Sequence, residues 1–163
     1  SDISKAGLLH HYSSKDQLLA AVLDERDRRT MSRLPDGDKG TEAALDAWVE
    51  IVAHNQRHPD GVALYTAMSA AVIDASHQAY PWFRQHLMAT IEYLVDTLER
   101  GKAAGEVHPD APSEQIARKL VALSDGLQVQ WLCSRADGGR DVDMHAVTAG
   151  VVSDIKDRWL VRS

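Results

Sequence analysis

Two histidines four positions apart, His54 and His58, have the spacing of a metal-ligand pair on one side of a helix. No third ligand stands near them in sequence, and no Glu lies between them as in a zinc hydrolase. A solvated polar face near a helix end is therefore the better reading, and no metal or cofactor is expected. Asp125 and Gln128 sit in an otherwise apolar stretch, where they can line a pocket, cap a bundle or face solvent. Lys5, His10, His11 and Lys15 crowd the front of the chain. Taken alone, His10 and His11 read as two surface histidines, since helical neighbours point about 100° apart. Cys133 is the one cysteine, so no internal disulfide can form; a small buried hydrophobe in a reducing cytoplasm fits it. There is no glycine-rich phosphate loop, no Gly-x-Ser-x-Gly elbow and no cysteine pair, so nothing points to an enzyme.

The elements that must position these residues are all helical. The chain lacks sustained two-residue alternation, an Asn-Gly hairpin turn and an internal repeat. Ser4 can cap a short helix to about His11; Ser14 with Gln17 forms a capping box for a second, reaching about Arg33. Pro35, Gly37 and Gly40 mark a loop, and Thr41 opens a helix that Pro59 ends near Arg57. Another helix is expected from about Asp60 to Ser76. Pro81 suits the first turn of the next, which Gly105 closes in the left-handed conformation. Ser113 caps a helix to about Ser134, and the last runs from about Val142 to Val161.

The last two helices carry broad apolar faces. Ile116, Leu120, Leu123, Leu127 and Trp131 form one stripe; Val147, Val151, Ile155 and Trp159 form the other, at steps of four. Gly126 and Gly150 would let backbones approach closely. Periodicity leaves two outcomes open: an intrachain core, or a four-helix bundle made by two copies.

With 163 residues, 44% apolar, the chain suits one domain, or one domain and a fragment of another. No apolar run approaches the ~20 residues that span a bilayer, so no membrane segment is expected. The formal charge of −6 argues against nucleic-acid binding by the whole chain. It is uneven, however. Residues 1–33 hold six Lys/Arg against five acids, and residues 34–163 hold 12 against 19. Such a front end is compatible with DNA contact there alone. On a short helix over that region, Lys5, Ala6, Leu9 and His10 would face outward and Leu8 and Tyr12 inward, with Gly7 removing bulk. Lys15 would add its charge to the positive end of the next helix, a natural seat for a phosphate.

The stretch ISKAGLLHHYSSKDQLLAAVLDERD, residues 3–27, resembles the second half of the helix-turn-helix of the TetR (tetracycline-repressor) family of transcription regulators. A looser likeness, LVALSDGLQVQWLC at residues 120–133, resembles the family's dimerisation helix. The resemblance implies an all-α, TetR-like helical bundle with a partial N-terminal helix-turn-helix and a C-terminal ligand and dimerisation domain. Residues 1–33 would be the remnant of the DNA-binding domain and its connecting helix, and residues 41–161 the rest. Family members carry two further helices upstream, so this chain is expected to be a truncated DNA reader.

The resemblance places Lys5, Ala6, Gly7, Leu9, His10, His11, Tyr12 and Lys15 at DNA-contacting positions. It implies an effector cavity walled by Trp48, Val52, Asn55, Tyr65, Met68, Phe83, Leu87, Thr90, Ile91, Asp125 and Gln128. It assigns the subunit contact to Leu120, Leu123, Leu127, Trp131, Val147, Val151, Ile155 and Trp159. The expected partners are a second copy, palindromic operator DNA and a small, largely hydrophobic effector that releases repression. A helical protein-interaction module without DNA binding, and an all-α enzyme, are the alternatives.

Overall fold

The computed structural model describes residues 15–35, 39–77, 79–136 and 142–161. Six helices follow one another there: α1 (Lys15–Met31), α2 (Gly40–Gln56), α3 (Pro59–Ala71), α4 (Tyr80–Ala103), α5 (Ser113–Ala136) and α6 (Met144–Trp159). The all-α expectation holds. The expected Ser4-capped helix, the side chains of the Ser14–Gln17 capping box and the Gly37 loop position lie outside the described residues.

Local chemistry explains most boundaries. Pro59 and Pro81 stand in the first turns of α3 and α4, where the missing N–H has no helical partner to lose. Gly105, with φ at 76°, follows α4 in the left-handed region that glycine enters without strain. Helix α3 stops at Ala71, short of the expected Ser76. Beyond it the Asp74 carboxylate accepts from the Ser76 amide at 2.8 Å and its hydroxyl at 2.7 Å, closing a tight turn in place of further helix. Helix α6 begins with Asp143, whose carboxylate accepts from the Ala146 amide at 3.0 Å.

The start of α2 differs from the expectation at Thr41. Its hydroxyl points inward and donates to the Thr97 carbonyl at 3.3 Å, while its amide donates to the Glu106 carboxylate at 2.9 Å. The cap is thus supplied from the turn after α4. Gly101 makes this junction possible: a Cβ there would collide with Thr41 and Val107.

Helix α2 packs along α6, and α4 along α5. The main core joins Leu45, Trp48, Leu94, Leu98, Leu120 and Val152. A second cluster holds α1 in place: Leu23 is fully buried against Tyr65, Met68, Ala79 and Phe83. A third gathers Val52, Val62, Leu127, Trp131 and Met144. Lys156 of α6 reaches Asp46 at 2.6 Å and Glu42 at 3.3 Å on α2. The chain after α6 returns to the α4–α5 turn, where the His108 amide donates to the Trp159 carbonyl and the Val161 amide to the Glu106 carbonyl, both at 2.8 Å.

Leu120, Leu127 and Trp131 of α5 are 0%, 4% and 1% exposed within a single chain, so the intrachain core already uses these members of the expected subunit contact. Cys133, expected to be buried, is exposed because it lies off the side of α5 that carries Leu127 and Trp131.

Candidate ligand cavity

Helices α1, α2, α4 and α5, with Tyr65 from α3, line a small, half-open cavity of about 70 Å³. Seven of the eleven residues expected there line it: Trp48, Val52, Asn55, Tyr65, Thr90, Asp125 and Gln128. The other four stand behind the wall. Met68 and Phe83 pack against Tyr65, Leu87 joins that cluster to the main core, and Ile91 rests on the main core.

Helix α1 supplies wall residues that sequence reasoning missed: Arg26, Asp27, Thr30 and Met31. So does α4, through His86. The apolar stripe of α4 drew attention to Phe83, Leu87 and Ile91, but the cavity meets the adjoining side, at His86 and Thr90. The detectable signal was Asp125: a carboxylate in an apolar helix calls for polar company from a neighbour.

The charged groups are arranged around Tyr65. The Arg26 guanidinium lies 5.0 Å above the centre of the Tyr65 ring. The Tyr65 hydroxyl faces Asp125, and burial keeps this phenol protonated far above its ordinary range. Burial also raises the Asp125 carboxyl, against the opposing pull of Tyr65, His86 and Arg26. It lowers the Arg26 guanidinium in the same way. His86 stacks flat on Trp82, with ring centres 5.2 Å apart, and its Nδ1 lies 2.9 Å from the Asp27 carboxylate. That contact joins α4 to α1. The Trp48 indole donates to the Ser124 hydroxyl at 3.2 Å. The Gln128 side-chain oxygen is buried and has no hydrogen-bond partner among the described residues.

A roomier hollow of about 210 Å³ lies where Pro35, Tyr93, Arg100 and Glu106 meet. Its polar groups already serve the fold, with Glu106 on the Thr41 amide and the Tyr93 hydroxyl donating to the Pro35 carbonyl at 3.2 Å. The His54 and His58 rings stack at 4.0 Å, and His58 Nδ1 donates to the His54 carbonyl at 2.7 Å. No cluster of three or more His, Cys, Asp or Glu suited to a metal occurs among the described residues. No described helix is long and apolar enough to cross a membrane.

Of the expected DNA-contacting set, Lys5, Ala6, Gly7, Leu9, His10, His11 and Tyr12 lie outside the described residues. Lys15 is the first residue of α1. In the expected subunit contact, Leu123 is half-buried beside Trp131. Val151, Ile155 and Trp159 lean on the main core, and Val147 is exposed.

This arrangement of six helices is the fold of solved TetR-type transcription regulators. A TetR transcription regulator from Haloarcula marismortui superposes with a TM-score of 0.75 at 21% identity, over 97% of this chain and 86% of that one. A TetR regulator from Chloroflexus aurantiacus gives 0.72 at 17%, over 96% and 79%. GusR of Salmonella enterica gives 0.67 at 23%, over 94% and 79%. No protein-family model matches the sequence, and neither does any curated protein.

Proposed function

We propose that this chain is a ligand-responsive DNA-binding transcription regulator, a repressor that works as a homodimer on palindromic operator DNA. The observation that carries the reading is the double duty of α1. This one helix starts directly after the stretch that resembles a recognition helix, and it also supplies Arg26, Asp27, Thr30 and Met31 to the cavity wall. An occupant of the cavity therefore touches the element that carries the DNA reader.

The size of the cavity gives the mechanism. About 70 Å³ falls well below the ~300–1,000 Å³ typical of small-molecule sites. A larger occupant needs more room than this, and among the described residues α1 is held by Leu23, the Arg26 guanidinium over Tyr65, the Asp27–His86 contact and the Tyr93–Pro35 bond beyond its end, so a shift of α1 can supply it. The effector binds the displaced form more tightly and draws the population toward it. In that form the two recognition helices no longer match half-sites about 34 Å apart, and operator affinity falls.

The homodimer reading is supported by the outer faces of α5 and α6. Val129 and Val147 are exposed large hydrophobics there. Gly126 and Gly150 are exposed in helix interiors, where glycine costs about 0.5–1 kcal/mol relative to alanine, and nothing within the chain lies near enough to require one. Close approach by a second helical pair gives them a purpose.

The test is selection of duplexes from a random pool by the full-length protein, followed by the cavity-filling change Ser124→Phe. Enrichment of a palindrome, and operator binding at least tenfold weaker in the variant with the dimer intact, are the expected results. Unchanged operator affinity in a correctly folded Ser124→Phe protein would remove the cavity from the mechanism.

A further inference from the structure

The cavity holds a cation and an anion that do not pair with each other. Among the described residues, Arg26 makes no hydrogen bond or ion pair through its guanidinium, and Asp125 has no cation within salt-bridge distance. Tyr65 keeps them apart, with the guanidinium over its ring and the carboxyl near its hydroxyl. The other titratable groups of the cavity, Asp27 and His86, lie against one another, carboxylate oxygen to Nδ1 at 2.9 Å. The unpartnered Gln128 oxygen, on a side chain only 7% exposed, lies one helical turn along α5 from Asp125.

A charge drawn out of water with no opposite charge in reach is costly, and a ligand that supplies one offsets that cost. Two such groups of opposite sign beside an orphan acceptor define a complement: one anion and one cationic hydrogen-bond donor on a small frame. We propose that the effector is a compact zwitterion of the amino-acid type, with a carboxylate received by Arg26 and an ammonium received by Asp125 and Gln128. This rests on the reading of the cavity as the effector site. It replaces the largely hydrophobic effector expected from sequence. A purely cationic ligand would leave Arg26 opposed to a like charge, and a purely anionic one would do the same to Asp125. Burial has already penalised the charged forms of both groups, and an ion pair at each end relieves that penalty.

The experiment titrates the full-length protein calorimetrically with glycine, β-alanine and 4-aminobutyrate, beside butyrate, butylammonium and butanol. The Trp48 indole N–H resonance reports occupancy of the cavity itself. At least one amino acid is expected to bind tenfold or more tightly than each single-function probe. Arg26→Gln should erase its advantage over butylammonium, Arg26→Lys should retain most of it, and Asp125→Asn should erase its advantage over butyrate. Should Arg26→Gln fail to fold, the Lys and Asn variants decide. If butyrate, butylammonium or butanol shifts Trp48 and binds as tightly as every amino acid, the zwitterion is wrong and the cavity stands as the effector site. Silence at Trp48 from all six probes also overturns the zwitterion. The effector-site reading falls separately, by the Ser124→Phe operator measurement.

Discussion

The Glu106 carboxylate accepts the Thr41 backbone amide at 2.9 Å across 65 residues of sequence, so the turn after α4 caps the start of α2. A helix leaves its first four N–H groups without internal partners, and satisfying one is worth about 0.5–2 kcal/mol. Glu106→Ala is expected to destabilise the protein by about 1 kcal/mol, lowering the melting temperature by roughly 2–4 °C for a chain of this size. Glu106→Gln retains an acceptor and should lose less. Thermal and urea unfolding of both variants check the ranking.

Asp125 should make stability depend on pH in the direction opposite to a salt-bridged carboxylate. Burial, the largest influence, holds its folded pKa above the ordinary 3.8 despite Tyr65, His86 and Arg26. A carboxyl with the higher pKa in the folded state binds its proton more tightly there. Its contribution is therefore fully present at low pH and is lost as pH rises through the folded value. Asp125→Asn removes the ionisation and should raise the urea midpoint at pH 7.5 relative to the wild type. The two proteins should converge as pH falls toward the ordinary carboxylate value. A gap that is equal at both ends would mean that the ionised side chain is not penalised. Stability gained in this way at the expense of ligand response is the usual trade at a binding site.

Subunit pairing should respond to the exposed positions and not to the buried ones. Val129 and Val147, 48% and 43% exposed, sit on the proposed contact face, and Val129→Glu and Val147→Glu are expected to yield folded monomers by light scattering. Leu127→Glu instead places a carboxylate in the third core cluster and should abolish folding. Cys133 lies one turn from Val129 on the same side of α5, so maleimide labelling should be slow in the dimer and fast in the monomeric variants. Dimers that persist in both Glu variants, with rapid labelling of Cys133, would move the contact elsewhere.

Lys15 begins α1, beside the stretch that resembles a recognition helix. In the full-length protein, Lys15→Ala is expected to weaken binding to all duplexes about equally. It should also reduce the salt slope of log K by about 0.9 for each phosphate that is no longer neutralised. Binding isotherms at several salt concentrations give both quantities; a deficit confined to one operator sequence would contradict a phosphate role.

The helices themselves were legible because their punctuation is local: Pro81, Gly105 and Ser113 fall at or beside the ends that the structure shows. The Glu106 cap was not, since nothing near Thr41 in sequence announces a partner 65 residues away. The cavity was half legible. Polar residues on apolar faces, such as Asn55, Asp125 and Gln128, stood out as groups needing company. Arg26, Asp27 and His86 did not, because charges on a surface helix look alike whether they face water or a neighbour. Periodicity identifies the apolar side of a helix and is silent on what covers it. Hence Leu120, Leu127 and Trp131, expected at a subunit contact, serve the chain's own interior.

The backbone pairing of Val107 with Leu160 cinches the base of the α5–α6 hairpin, because residues 53 apart in sequence are stitched together where the two helices begin and end. A hairpin closed at its base resists shearing, whereas α1 has no comparable stitch among the described residues. Stress entering the middle of the molecule should therefore be unevenly absorbed, with the clamped half acting as an anvil and α1 expected to give first.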